Sequence, residues 1–233
     1  SDPPRWVDAW LDVRIGARHT LRAGRMKSPI GFERLISSTA LPLVERGFPS
    51  ELSPNREVGV LLLGEHRELR LNYMFGVMNG AADGRNAPSR DDDDQPELQG
   101  RIAREFALSD GAGSYGAGIA VGHGNTDAGS ALPRYRSPGQ RSFFSYAATA
   151  RSSGARTRLA PHAWYLRGPL GAIAEWSQTR QHLTPIDAPD AGLTLNHRAW
   201  QVTGIWVLSG ETAAYKGIDA PDTLTDSEVW NLI

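Results

Sequence analysis

The sequence predicts an all-β protein, an antiparallel transmembrane β-barrel of outer-membrane type, and three observations predict it. Polar and apolar side chains alternate with a period of two in one run after another. The runs are about nine to eleven residues long, which suits a tilted membrane crossing better than a typical soluble strand. Long connections rich in Gly and Pro alternate with short ones, the arrangement of extended outer loops and tight periplasmic turns.

Each strand can be read in order. In WVDAWLDVRI, Val7, Ala9, Leu11, Val13 and Ile15 share one face, while Asp8, Asp12 and Arg14 share the other with Trp6 and Trp10. The next strand passes through Arg25, where Leu21, Ala23, Arg25 and Lys27 have the same parity. Strict alternation cannot place both that leucine in lipid and those bases in a lumen, so a bulge or an exit from the bilayer is expected near Arg25. REVGVLLLGE follows, and then ELRLNYMFGVMNG, which sets Leu69, Leu71, Tyr73, Phe75 and Val77 against Arg70, Asn72, Met74 and Gly76. ELQGRIAREF, SYGAGIAVGHG and RSFFSYAATA are further strands, and RTRLAPHAWYL opposes Arg156, Arg158 and His162 to Thr157, Leu159, Pro161, Ala163 and Tyr165. Pro161 lacks a ladder donor, so this strand is expected to be irregular. GPLGAIAEWSQTR and HRAWQVTGIWVLSGE complete about ten strands at hairpin spacing. Between them lie DGRNAPSRDDDDQP, GNTDAGSALPRYRSPGQ and HLTPIDAPDAGL, alternating with GEHRE and LRGPLG. Trp6, Tyr73, Trp164, Tyr165, Trp176, Trp200 and Trp206 fall near strand ends, where an interfacial aromatic girdle would place them.

Composition excludes several functions. With 25 basic and 26 acidic residues in 233, the chain lacks the basic excess of a nucleic-acid-binding surface. Without cysteine it has no disulfide or thiolate metal site, and no apolar run reaches the roughly 18 residues of a membrane helix. The histidines, His19, His66, His123, His162, His182 and His197, are dispersed without metal-ligand spacing. SDGAGSYGAGIAVGHG is followed by neither a helix nor a lysine, so its small residues suit close strand packing better than a phosphate loop. Asp91 to Asp94 are consecutive, lack the spaced ligands of a cation site, and read as a solvated outer loop. No enzyme constellation and no cofactor motif remain.

The cations that do remain are mostly arginines, since Lys27 and Lys216 are the only lysines. Arg14, Arg70, Arg101, Arg156 and Arg158 fall on the polar faces of their strands, which look into the pore of a closed barrel. Guanidinium groups in a narrow lumen attract anions and repel cations. Asp8, Asp12 and Glu105 share that face, which leaves a general-diffusion pore with balanced charge as the alternative. A soluble all-β binding protein, its apolar faces buried in a core, is the more distant one.

A block of the form GR-x-K-x-P-x-G-x-E runs from Gly24 to Glu33, followed by SSTALPLVERGFP and the strand start NREVGV. With YMFGVMNG, FFSYA, SGARTRLAPHAWYLRGPLGAIAEW and WQVTGIWVLSGETAAYKG, these stretches resemble the phosphate-selective porin family of outer-membrane proteins over most of the chain. The resemblance implies a sixteen-stranded, trimeric barrel in bacterial outer-membrane lipid that passes phosphate or similar anions, with loops folded inward to narrow the pore. It implies that residues 28–54 form such a constriction loop, that Lys27 contacts the anion, and that Arg25, Arg34, Arg46 and Arg56 do so around it. The chain is then a single barrel domain over residues 1–233, expected to be a part of a larger barrel.

Overall fold

The structure, a computed structural model, describes residues 7–84, 94–137, 139, 141–147, 149–185 and 192–215, with the side chains of all but 128–131 and 185. Trp6, Lys216 and Asp91 to Asp93 lie outside the described residues.

The alternating runs fold as antiparallel strands that pair in chain order. β1 (Ala9–Ile15) turns through Gly16, in the left-handed region at φ 68°, into β2 (His19–Lys27). β3 (Arg56–His66), β4 (Leu71–Met78), β5 (Glu97–Ala107) and β6 (Gly113–Ala131) follow. A short hairpin, β7 (Tyr135–Arg136) with β8 (Ser142–Phe144), lies in the connection to β9 (Ala150–Arg167), and β10 (Leu170–Pro185) and β11 (Leu193–Trp206) complete the chain of strands. One nine-stranded sheet runs β1-β2-β3-β4-β5-β6-β9-β10-β11 and is not closed, so β1 and β11 form its two edges. The short turns, 16–18, 67–70, 108–112 and 168–169, all lie at one end, and the long connections lie at the other.

Three expectations are corrected here. RSFFSYAATA is not a strand of the sheet; part of it forms β8 and packs through Phe143 and Phe144 against Phe48 and Tyr135. β9 does not bulge at Pro161: it stays in register with β6 at Ile119, while its pairing to β10 lapses between Glu175 and Gln178 and shifts register between Gln181 and Leu183. β2 neither bulges nor leaves the sheet at Arg25. Its register with β3 is unbroken through Lys27, and Arg25 lies opposite Ala9 and Val58 on the apolar face. Gly24, at φ 133°, lets β1 and β2 approach closely at this point, since a Cβ there would lie 2.7 Å from the Trp10 Cα.

Register sets the two faces. Directly opposed residues share a face, so Leu98, Ile102, Ile119, Val121, Tyr165, Val202 and Trp206 form one exposed apolar surface. Tyr73, Phe106, Tyr115, Tyr165 and Trp206 make its aromatic band toward the short turns, and Trp176 opposes Trp200 farther up. Trp164 belongs to the other face; it is buried there, and so departs from the expected girdle. That opposite, inner face carries Gln99, Arg101, Ala103, Arg156, Arg158, His162, Glu175 and Thr179.

A candidate channel lining on the inner face

The inner face is shaped by a lane of small residues. In β6, Gly116, Gly118, Ala120, Gly122 and Gly124 oppose Trp164, His162, Ala160, Arg158 and Arg156 of β9. A Cβ at Gly118 would lie 2.6 Å from the His162 ring, so only glycine lets that ring lie flat over the strand. This is the close strand packing that the Gly-rich run implied.

Residues 28–54 lie against this face. Ile30 packs on Ala120 and Ala160, and Phe32 stacks on His162 and Trp164 at ring separations of 4.5 and 5.6 Å. The short helix α1 (Phe32–Leu35) is held by Glu175 of β10, whose carboxylate accepts the amides of Phe32 at 2.6 Å and Glu33 at 3.1 Å. Ser28 donates to Gln99 on β5 at 2.8 Å, Thr179 donates to the Leu52 carbonyl at 3.1 Å, and Gln201 on β11 donates to Glu33 at 3.3 Å. The segment therefore spans from β2 to β11 as one fastened element.

Its own cations are spent on the same task. Lys27 Nζ donates to the Leu35 and Ile36 carbonyls, each at 3.1 Å, and so caps the end of α1. Arg34 donates to the Ser50 carbonyl, and Arg46 to the carbonyls of Glu33 and Ile36 at 3.0 and 2.8 Å. Arg56 pairs with Asp8 at 2.9 Å.

Arg156 and Arg158 sit in a buried network near the long connections. Arg158 binds Asp83 at 2.7 Å, both oxygens of Glu97, and the Ala81 carbonyl at 2.8 Å. Arg156 binds Glu97 at 3.1 Å and the Gly80 carbonyl. Glu57 joins through the Ala81 amide at 2.9 Å and Gln99 at 2.7 Å. Three carboxylates thus surround two guanidiniums, and the network ties the start of the β4–β5 connection to the inner face. The sequence reading missed these acids. Glu57, Glu97 and Glu175 do have polar parity in their strands, and that signal was available, but the pairing that brings each to an arginine or an amide depends on register.

Arg101 is different. It is buried, donates to Asn72 at 2.6 Å and contacts His162 at 3.1 Å, and its Nε has no hydrogen-bond partner among the described residues. It lines a cavity of about 660 Å³ beneath α1, together with Arg67, Arg70, Glu105 and Tyr215. Arg70 lies 3.6 Å from Glu105, and Arg67 lies 3.7 Å from Glu65, in exposed pairs that solvent screens. Burial, with Glu105 nearby, pushes the Tyr215 hydroxyl above its ordinary value, so it remains a protonated donor at the cavity wall. Arg14 lines a neighbouring cavity of about 630 Å³ with Arg18, His66 and Arg67. The structure thus gathers Arg70 and Arg101 at one chamber and Arg14 at the next, and separates them from Arg156 and Arg158.

A sheet apolar outside and polar inside, with its long connections at one end and a segment folded against the polar face, is the plan of an outer-membrane porin. The family model of phosphate-selective porin O and P matches residues 1–228. The chain belongs to that family. A search of curated proteins found no match. Membership makes this an outer-membrane porin of the phosphate-selective kind, a channel family rather than an enzyme family. Within such a porin, the inner face of the sheet is the face that borders the lumen.

Proposed function

We propose that this porin passively conducts small anions of the phosphate type, and that the selecting contacts are Arg101 and Arg70 beneath the folded segment, with Arg14 at the entrance on the short-turn side. The observation that carries this reading is the difference between the two arginine groups. Arg156 and Arg158 are neutralised by Glu97 and Asp83 in the buried network. Arg101 is held by neutral groups, Asn72 and His162, and borders a cavity large enough for a hydrated oxyanion. A guanidinium without a bonded carboxylate keeps its field for an ion in transit, and neutral neighbours fix its orientation without cancelling its charge. Lys27 supports the pore differently, by holding the segment that covers the chamber. Outer-membrane lipid surrounds the barrel, and a homotrimer is its assembly.

The test is the reversal potential in a planar bilayer under a KCl gradient, with and without added phosphate. Wild type is expected to favour chloride and to be blocked by phosphate, Arg101→Gln to lose both effects, and Lys27→Gln to keep the sign of the potential. A near-zero potential, insensitive to phosphate, would return the balanced general-diffusion pore.

A further inference from the structure

The outward face changes character toward the long connections. Below, it is apolar through Ala163, Val202 and Trp206; above Trp176 and Trp200, β10 and β11 turn polar and basic, although Leu159 of β9 still faces outward opposite Gln178. Arg180 lies opposite Thr157 on one side and Asn196 on the other, and Arg198 lies opposite Gln178. His123 of β6 opposes Thr157 and shares a hydrogen bond of 3.1 Å with it, and His182 contacts Thr194 at 3.3 Å. Gln178 donates to Asn196 at 2.5 Å, between the two arginines. Arg180 and Arg198 are exposed, and neither has a hydrogen-bond or ion-pair partner among the described residues. The outward positions of β9, β10 and β11 carry no carboxylate among those residues; on β6, Asp127 follows, beside the register break after Thr126. The short-turn end shows the contrast. There Arg167 is paired with Asp110 at 2.8 Å, and Arg104 lies over the Phe106 ring and binds the Leu69 carbonyl.

We infer that Arg180 and Arg198, flanked by His123 and His182, form a docking row for the phosphorylated headgroups of outer-leaflet lipid. The height fits, because Trp200, which is 73 % exposed on the same face, stands two residues below Arg198 and marks the edge of the hydrocarbon. The side fits, because the long connections emerge at the outer leaflet. The spacing fits as well: diagonal cross-strand neighbours lie about 7–8 Å apart, close enough for two guanidinium forks to share one phosphate or to hold two on one headgroup. Surface continuity fixes the occupant as lipid, since the row extends the surface that faces the acyl chains.

The test uses the full chain in detergent and native mass spectrometry with bisphosphorylated lipid A as the probe, beside the same lipid without its phosphates. Wild type is expected to retain the phosphorylated lipid, and Arg180→Gln with Arg198→Gln to bind it more weakly by about fivefold per arginine removed, roughly 25-fold in all. Heat-modifiable migration on gels checks that the double variant is folded; should it fail to fold, the comparison of the two lipids on wild type decides alone. Equal retention of both lipids overturns the inference. So does displacement of the lipid by millimolar inorganic phosphate, which would make the row a site for the free ion, and so does loss of an oligomer without loss of lipid, which would make it a subunit contact.

Discussion

An arginine on the inner face is not by itself an anion contact, and Arg158 shows why. Its guanidinium is fully buried between Asp83 and Glu97, so its charge is consumed in holding the start of the β4–β5 connection to the sheet. Arg158→Met is expected to cost roughly 3–5 kcal/mol, because it strands two buried carboxylates, whereas Arg70→Gln, in an exposed pair, should cost under about 1 kcal/mol. Urea unfolding of the two variants in one detergent checks the ratio; similar midpoints would mean that the buried network is solvated. The parity of Arg101, Arg156 and Arg158 was legible from spacing alone. Their electrostatic fate was not, because their partners lie 29 to 77 residues away in sequence and meet them only through strand register. Lys27 shows the same limit: its family block was recognisable, but that its ammonium group caps α1 depends on how the following turn folds inward.

At the scale of elements, the strands were the legible part, since alternation is a local signal that each run carries in itself. β7 lay in a run that reads as a connection, while RSFFSYAATA reads as a strand of the sheet but gives only the short β8, because Phe144 and the nearby Tyr146 serve an aromatic cluster with Tyr135 and His197. The chief anchor of residues 28–54 on the inner face, Glu175, was not legible, because it lies more than 140 residues from the amides it receives. A charge-assisted hydrogen bond of this kind is worth about 1.5–3 kcal/mol. Glu175→Gln should therefore make the segment open about tenfold more often, which is read as faster tryptic cleavage at Arg46 with the barrel otherwise intact. Unchanged cleavage would shift the anchoring to the Phe32 stack on His162 and Trp164.

Across the whole molecule, protection should follow the way the sheet is covered. β6 and β9 pair on both sides, and Ile30, Phe32 and the buried arginine network lie over them, so their amides open only when the segment and the sheet come apart together. Among the described residues β1 pairs only with β2, and all seven of its residues are exposed. Hydrogen exchange in detergent is therefore expected to be slowest in residues 116–124 and 156–164, intermediate in β3 and β4, and fastest in β1. β11 should be split along its length: residues near Gln201 and Thr203, held to Glu33 of the folded segment, should exchange more slowly than those near Leu193. The result also bears on closure. Hydrocarbon does not tolerate unpaired backbone groups, so a barrel in the membrane needs a strand at each edge of this sheet. If β1 and β11 are as protected as β6, their outer edges are paired in the protein as it stands; fast exchange along both would leave these edges as the places where the barrel takes its remaining strands.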